Sequence, residues 1–202
     1  MIDNENNVIE NNERSLVARF FDGVIDWIES FFFAIFIVVL IFTFILRTVA
    51  VKGDSMKPNF HDADRLIISH VNLKPAKGDI LVMNCDTPQL RETIIKRCIG
   101  TAGDKIRIDY NNNTLEVNSK KMSNEYLGEV MYDKSSFDQQ YSVENGVYEY
   151  TVPKGKIFVM GDNRNNSADS RMVGFIDVDD VLGKVVFRMY PFDKIGVIHS
   201  FI

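Results

Sequence analysis

The stretch Ser30–Leu46, SFFFAIFIVVLIFTFIL, is followed at once by a short β-branched run, Arg47-Thr48-Val49-Ala50-Val51-Lys52. The first stretch is seventeen residues without a charge, bounded by Glu29 and Arg47. That length is the lower limit for a helix crossing a hydrocarbon core of about 30 Å. A core helix buried in protein is the other reading. A segment apolar on every face, with six phenylalanines, suits lipid better. It lies too far from the N-terminus, and has too little basic flank, to read as a cleaved leader. The change at Arg47 therefore divides a single transmembrane helix over residues 30–47 from a body over residues 48–202.

Working outward towards the N-terminus, Leu16, Val17, Phe20, Phe21, Val24, Ile25 and Ile28 recur at helical spacing, with Arg19, Asp22, Asp26 and Glu29 between them. Residues 1–29 are expected to hold an amphipathic helix at the membrane surface, with Trp27 at the interface. A solvated helix packed on something else has the same pattern. The first twelve residues, rich in Asn and Glu, are expected to be disordered. Residues 1–46 carry seven acids against Arg14 and Arg19, whereas the rest balances 21 bases with 21 acids. A neutral body without a basic cluster argues against nucleic acid as a partner.

After Arg47 the pattern is of short aliphatic runs punctuated by Gly, Asn, Asp and Pro. Strands are expected at Thr48–Lys52, Arg65–Ser69, Asp79–Asn84, Thr93–Ile99, Lys105–Asp109, Thr114–Val117, Val147–Val152, Ile157–Met160 and Val181–Tyr190. Many short strands at this spacing indicate a mainly β fold, an antiparallel sandwich or barrel. Residues 118–145 are polar and irregular and read as a variable insert, a small cap or surface excursion. Cys85 and Cys98 read as small apolar strand residues, with one disulfide as the alternative. No cofactor is implied, and no metal-ligand spacing is present.

Three stretches carry chemistry: Gly53-Asp54-Ser55-Met56-Lys57-Pro58, Ile94-Ile95-Lys96-Arg97-Cys98-Ile99-Gly100, and Gly161-Asp162-Asn163-Arg164-Asn165-Asn166-Ser167-Ala168-Asp169-Ser170-Arg171. In this order they resemble the boxes of bacterial type I signal peptidases, which are membrane-anchored Ser/Lys proteases. The likeness runs from the apolar segment to the C-terminus. It implies a coiled, mostly β fold and a serine endopeptidase that removes signal peptides from exported preproteins after an Ala-x-Ala-like site. Lysine at 96, where eukaryotic-type signal peptidases carry histidine, fits the bacterial class.

A serine hydroxyl is a weak nucleophile until a base takes its proton. Lysine, with an ordinary pKa of about 10.4, can be that base only when desolvation removes its charge. Lys96 lies among Ile94, Ile95, Cys98 and Ile99, and strand alternation turns Arg97 to the opposite face. Ser55 is thus the candidate nucleophile and Lys96 the candidate general base. The resemblance further implies that the Ser167 hydroxyl orients the amine and that Asp162, Asp169, Arg97 and Arg171 brace the site as ion pairs. It implies that the Ser55 N–H meets the oxyanion. Gly53 holds a position where some relatives add a hydroxyl donor. Val51, Met56 and Ile95 are implied to line shallow substrate pockets, although strict alternation would turn Ile95 away from Lys96. Asn59-Phe60 departs from the usual Thr-Leu after Pro58, as does Thr101-Ala102 from Leu-Pro before Gly103.

Ser55 lies eight residues beyond Arg47, within roughly 28 Å of the helix end at full extension. The expected partners are signal peptides and the lipid bilayer, with the N-terminus cytoplasmic and the catalytic body outside, as the resemblance implies. The basic residues do not favour that orientation: Arg14 and Arg19 precede the span, and Arg47, Lys52 and Lys57 follow it. A silent relative that binds signal peptides, and a soluble self-cleaving repressor of related type, are the alternatives. The intact Ser55, Lys96 and Ser167 oppose the first, and the apolar span opposes the second.

Overall fold

The computed structural model describes residues 2–44, 46–71, 73–132 and 141–200. The chain forms two compact units, Met1–Ile45 and Leu46–Ile202. The first is one helix, α1 (Ile2–Phe44). Its most apolar window, Gly23–Ile41, has a mean hydropathy of 2.4 and none of it is buried by the rest of the chain. Leu16 and Val17 of the expected amphipathic face lie outside the described side chains. The first twelve residues, expected to be disordered, are helical from Ile2. Helix propagation is cooperative, so a strong apolar segment extends helix into a weak one upstream.

The second unit is antiparallel β. Its strands are β1 (Leu46–Ala50), β2 (Arg65–Ser69), β3 (Ile80–Thr87), β4 (Leu90–Thr101), β5 (Lys105–Asp109), β6 (Thr114–Val117), β7 (Lys120–Lys121), β8 (Ser142–Glu144), β9 (Val147–Thr151), β10 (Lys156–Met160), β11 (Ile176–Asp177), β12 (Val181–Tyr190) and β13 (Gly196–Val197), with a single helical turn, α2 (Ser170–Val173), before β11. One sheet runs β1-β2-β12-β3-β4-β10-β11 with β13 beside β12, and the other runs β7-β6-β5-β9-β8. The mainly β, antiparallel expectation holds. Strand already begins at Leu46, inside the segment expected to span, because Leu46–Ala50 pairs in register with Arg65–Ser69.

Two features of this fold position the site. First, β4 is twelve residues long and belongs to two environments. Its far half pairs with β10 from Arg97 to Thr101, while Leu90–Lys96 pairs only with β3 among the described residues. Lys96 therefore stands where one edge of the strand becomes open. Second, the loop after β1 is pinned by its own apolar residues. Val51, Met56 and Phe60 join Leu66, Ile68, Ile80, Val82 and Val185 in one buried cluster. Burial of Met56 and Phe60 contributes about 1.5–3 kcal/mol each and fixes the loop between them. The insert is more than the surface excursion expected: Met122 and Met131 are buried in the core of the second sheet. The part of the insert over residues 133–140 lies outside the described residues.

Candidate active site

Ser55 and Lys96, forty-one residues apart in sequence, meet across this junction. Lys96 Nζ lies 2.7 Å from Ser55 Oγ and 3.0 Å from the Ile95 carbonyl oxygen. Lys96 is 4% exposed. Burial pushes its pKa below the ordinary 10.5, against the partial opposition of Asp169 and Glu92. The aliphatic surroundings solvate an ammonium poorly, which disfavours the charged form. The two groups expected to pair do so.

The serine is presented by a turn rather than by a strand. Gly53 has φ +78°, a left-handed conformation that disfavours other residues, and its N–H donates to Asp62 Oδ1 at 2.8 Å. The Ser55 carbonyl accepts from Asn163 N–H at 3.0 Å, and the Asp54 carbonyl accepts from the Asn163 side chain at 3.2 Å. The loop following β10 thus holds the Ser55 main chain from behind. Gly161, at the start of that loop, faces the Ser55 carbonyl and the Ser167 side chain with no space for a Cβ.

Two buried ion pairs brace this assembly. Arg97 donates to both Asp162 oxygens, at 2.7 and 2.8 Å, and also to the Gly78 carbonyl. Arg171 donates to Asp169 through Nε at 2.8 Å and Nη2 at 2.9 Å, and Asp169 also accepts from Gly161 N–H. Burial opposes ionisation of Asp169, but the Arg171 charge and these donors outweigh it and hold the carboxyl below its ordinary value. All four side chains are almost fully withdrawn from water. Breaking either pair would leave an uncompensated charge, so the pairs lock the geometry behind the dyad.

Ser167 falls beside the pair but does not make the bond expected of it. Its Oγ is buried and has no hydrogen bond of ordinary geometry, although it is close enough to Asp169 to help keep that carboxylate ionised. Val51, Met56 and Ile95 do come together with the dyad. They line one cavity of about 490 Å³ that also includes Ala50, Asn166 and Ala168. Ile95 reaches it despite alternation because Thr93, Ile94, Ile95 and Lys96 all contribute, so the cavity runs along the open edge of β4 rather than over one face. Cys85 and Cys98 are free and buried in the apolar cluster of the first sheet.

Sequence reasoning did not single out Asn59 or Tyr126. Asn59 donates to Asp162 Oδ2 at 2.8 Å and to the Tyr126 carbonyl at 2.9 Å. The departure Asn59-Phe60 was a usable signal for the first. Nothing in the polar insert marked Tyr126.

The family model for signal peptidase, peptidase S26, matches residues 24–190. Signal peptidase IB of Staphylococcus aureus (strain COL) is 34% identical over 180 residues, which are 85% of this chain and 92% of the relative. Signal peptidase I P of Bacillus subtilis subsp. natto is 36% identical over 177 residues, 86% of this chain and 92% of the relative. A solved signal peptidase I from Enterococcus faecalis V583 is 30% identical and covers 55% of this chain and 97% of its own, with a TM-score of 0.42.

Proposed function

Since the chain belongs to the signal peptidase family, peptidase S26, we propose that it is a membrane-bound serine endopeptidase that removes signal peptides from exported preproteins by acyl-enzyme chemistry on Ser55, with Lys96 as general base. The observation that carries this reading is the 2.7 Å approach of a desolvated amine to the serine hydroxyl. A protein that only bound signal peptides would have no use for that costly arrangement.

In the first half-reaction, Ser55 Oγ attacks the scissile carbonyl carbon while its proton passes to Lys96 Nζ. The oxyanion is met by the Ser55 N–H. Collapse of this intermediate breaks the peptide bond, and the Lys96 ammonium gives its proton to the departing amine. The signal peptide remains as an ester on Ser55. Water then attacks the ester, Lys96 takes its proton, and that proton returns to Ser55 Oγ as the acid leaves. Ser167, buried beside Gly161, makes no bond to the amine and supports the site through Asp169. Asp162, Asp169, Arg97 and Arg171 hold the frame and take no part in proton transfer.

The substrate would enter as an added strand. β1 is the terminal strand of its sheet and β4 has an open edge up to Lys96, so an extended peptide between them finds unpaired backbone on both sides. Val51, Met56 and Ile95 would then receive small side chains of the Ala-x-Ala kind. The uncovered apolar window of α1 supports anchoring in a bilayer. We place the N-terminus in the cytoplasm and the body outside, where such substrates emerge.

The test uses the full-length chain in detergent with a preprotein whose signal ends in Ala-x-Ala, read by mass of the products. Ser55→Ala should abolish cleavage, and phenylalanine at either small position of the substrate should block it. Cleavage by Ser55→Ala at the unsubstituted rate would exclude the mechanism.

A further inference from the structure

Tyr126 belongs to the polar insert, yet it touches two of the three segments that carry chemistry and Asn59, the residue directly after the remaining one. The Arg97 guanidinium lies over its ring at 4.4 Å from the centroid, and the Arg164 guanidinium lies at 5.7 Å. Its hydroxyl accepts from Arg164 Nη2 at 2.8 Å, and its carbonyl accepts from Asn59 Nδ2 at 2.9 Å. Asn59 follows Ser55 on the nucleophile's loop, Arg97 adjoins Lys96 on β4, and Arg164 precedes Ser167 on the loop behind both. The same Asn59 amide also reaches Asp162, the carboxylate that grips Arg97. One aromatic residue therefore joins the supports of the nucleophile, of the base and of the groups behind them.

We propose that Tyr126 is a positioning residue that fixes the separation of Ser55 and Lys96 from the insert side, acting through Asn59 and Arg97. This rests on the Ser55/Lys96 reading above. The physical reason is the narrow tolerance of proton transfer: a displacement of about 1 Å can cost a hundredfold in rate. Arg97 is 2% exposed, and a desolvated cation is held against an aromatic face more strongly than an exposed one. Asp162 satisfies one side of the guanidinium plane's edge and the Tyr126 ring covers its face. Without the ring, the Arg97–Asp162 pair and Asn59 lose their cover, and the β4 backbone that carries Lys96 shifts against Ser55. An amine displaced from its aliphatic site regains hydration and holds its proton to higher pH.

The full-length chain in detergent is assayed on the Ala-x-Ala preprotein across a pH series, with Tyr126→Ala, Tyr126→Phe and Lys96→Ala compared with the parent. For Tyr126→Ala we expect kcat to fall roughly ten- to a hundredfold with KM changed by no more than about twofold. The acid limb of kcat should move up by about one pH unit. Tyr126→Phe keeps the ring and the carbonyl, so it should restore most of kcat and the parental limb. A Tyr126→Ala enzyme with the parental kcat and limb, or one that loses only thermal stability, overturns the proposal. Should Tyr126→Ala not fold, Tyr126→Leu and Asn59→Ala must show the same displaced limb, and a parental limb in both overturns it equally. Failure of the underlying reading is separate: it appears as cleavage by Lys96→Ala at the parental rate.

Discussion

Gly161 and Ser55 meet main chain to main chain: a Cβ on Gly161 would lie 2.5 Å from the Ser55 carbonyl oxygen and 2.6 Å from the Ser167 Cβ. The Ser55 backbone is seated directly on a glycine of the third stretch. Glycine is required there for closeness and not for an unusual backbone angle. This contact explains how residues more than a hundred positions apart are held in one geometry.

Gly161→Ala is expected to push the Ser55 main chain and Ser167 away together. Besides the Ser167 hydroxyl, the added Cβ meets the Ser55 carbonyl and the Ser167 Cβ, which cannot swing aside, so the backbone must yield. Cleavage should fall by roughly a hundredfold or more, as for a displacement of about 1 Å. Single-turnover assays at saturating preprotein will check this, and a parental rate would mean that the loop adapts without moving Ser55.

Lys96→Met should raise thermal stability while abolishing activity. The folded chain holds the Lys96 pKa below 10.5. Between that lowered value and 10.5 the unfolded chain binds more protons, so the parent gains stability as pH rises through this window. The methionine variant lacks the term. Its advantage should be largest at and below the lowered pKa and should shrink as pH approaches 10.5. Thermal melts of both chains over a pH series test the sign; an advantage that grows with pH contradicts it.

Arg97→Met and Asp162→Asn should each destabilise the fold by about 3–5 kcal/mol, because each leaves its partner buried without compensation. The double variant should lose less than the two losses combined. Denaturant melts of the four chains measure the coupling, and simple additivity would show that the pair is not acting as a unit.

Much of this architecture can be read from the residues. Arg65–Ser69, Lys105–Asp109, Thr114–Val117 and Val181–Tyr190 are strands with the expected bounds, because alternation and turn residues mark both ends. The strand after the helix starts two residues earlier than expected, at Leu46, since its pairing with Ser69 prevails over local hydropathy. Short strands such as Lys120–Lys121 and Gly196–Val197 carry no periodic signal, and their place is set by neighbours. In the site, Ser55 and Lys96 were legible only from the three stretches taken together, since alone each reads as a turn serine or a surface lysine. The pairing of Arg97 with Asp162 was legible only through resemblance. Tyr126 was not legible at all, since an aromatic residue in an irregular segment acquires its role from contacts distant in sequence. The expected bond from Ser167 to the amine is not formed, and its hydroxyl lies instead beside Asp169.

The central claim is that an uncharged Lys96 amine takes the proton of Ser55. The most direct measurement is kcat/KM for preprotein cleavage by the parent chain and by Lys96→Ala across a pH series. The parental rate is expected to fall as pH drops through the lowered lysine pKa, with no cleavage by Lys96→Ala at any pH. Cleavage by Lys96→Ala with the parental rate and the same acid limb would contradict it.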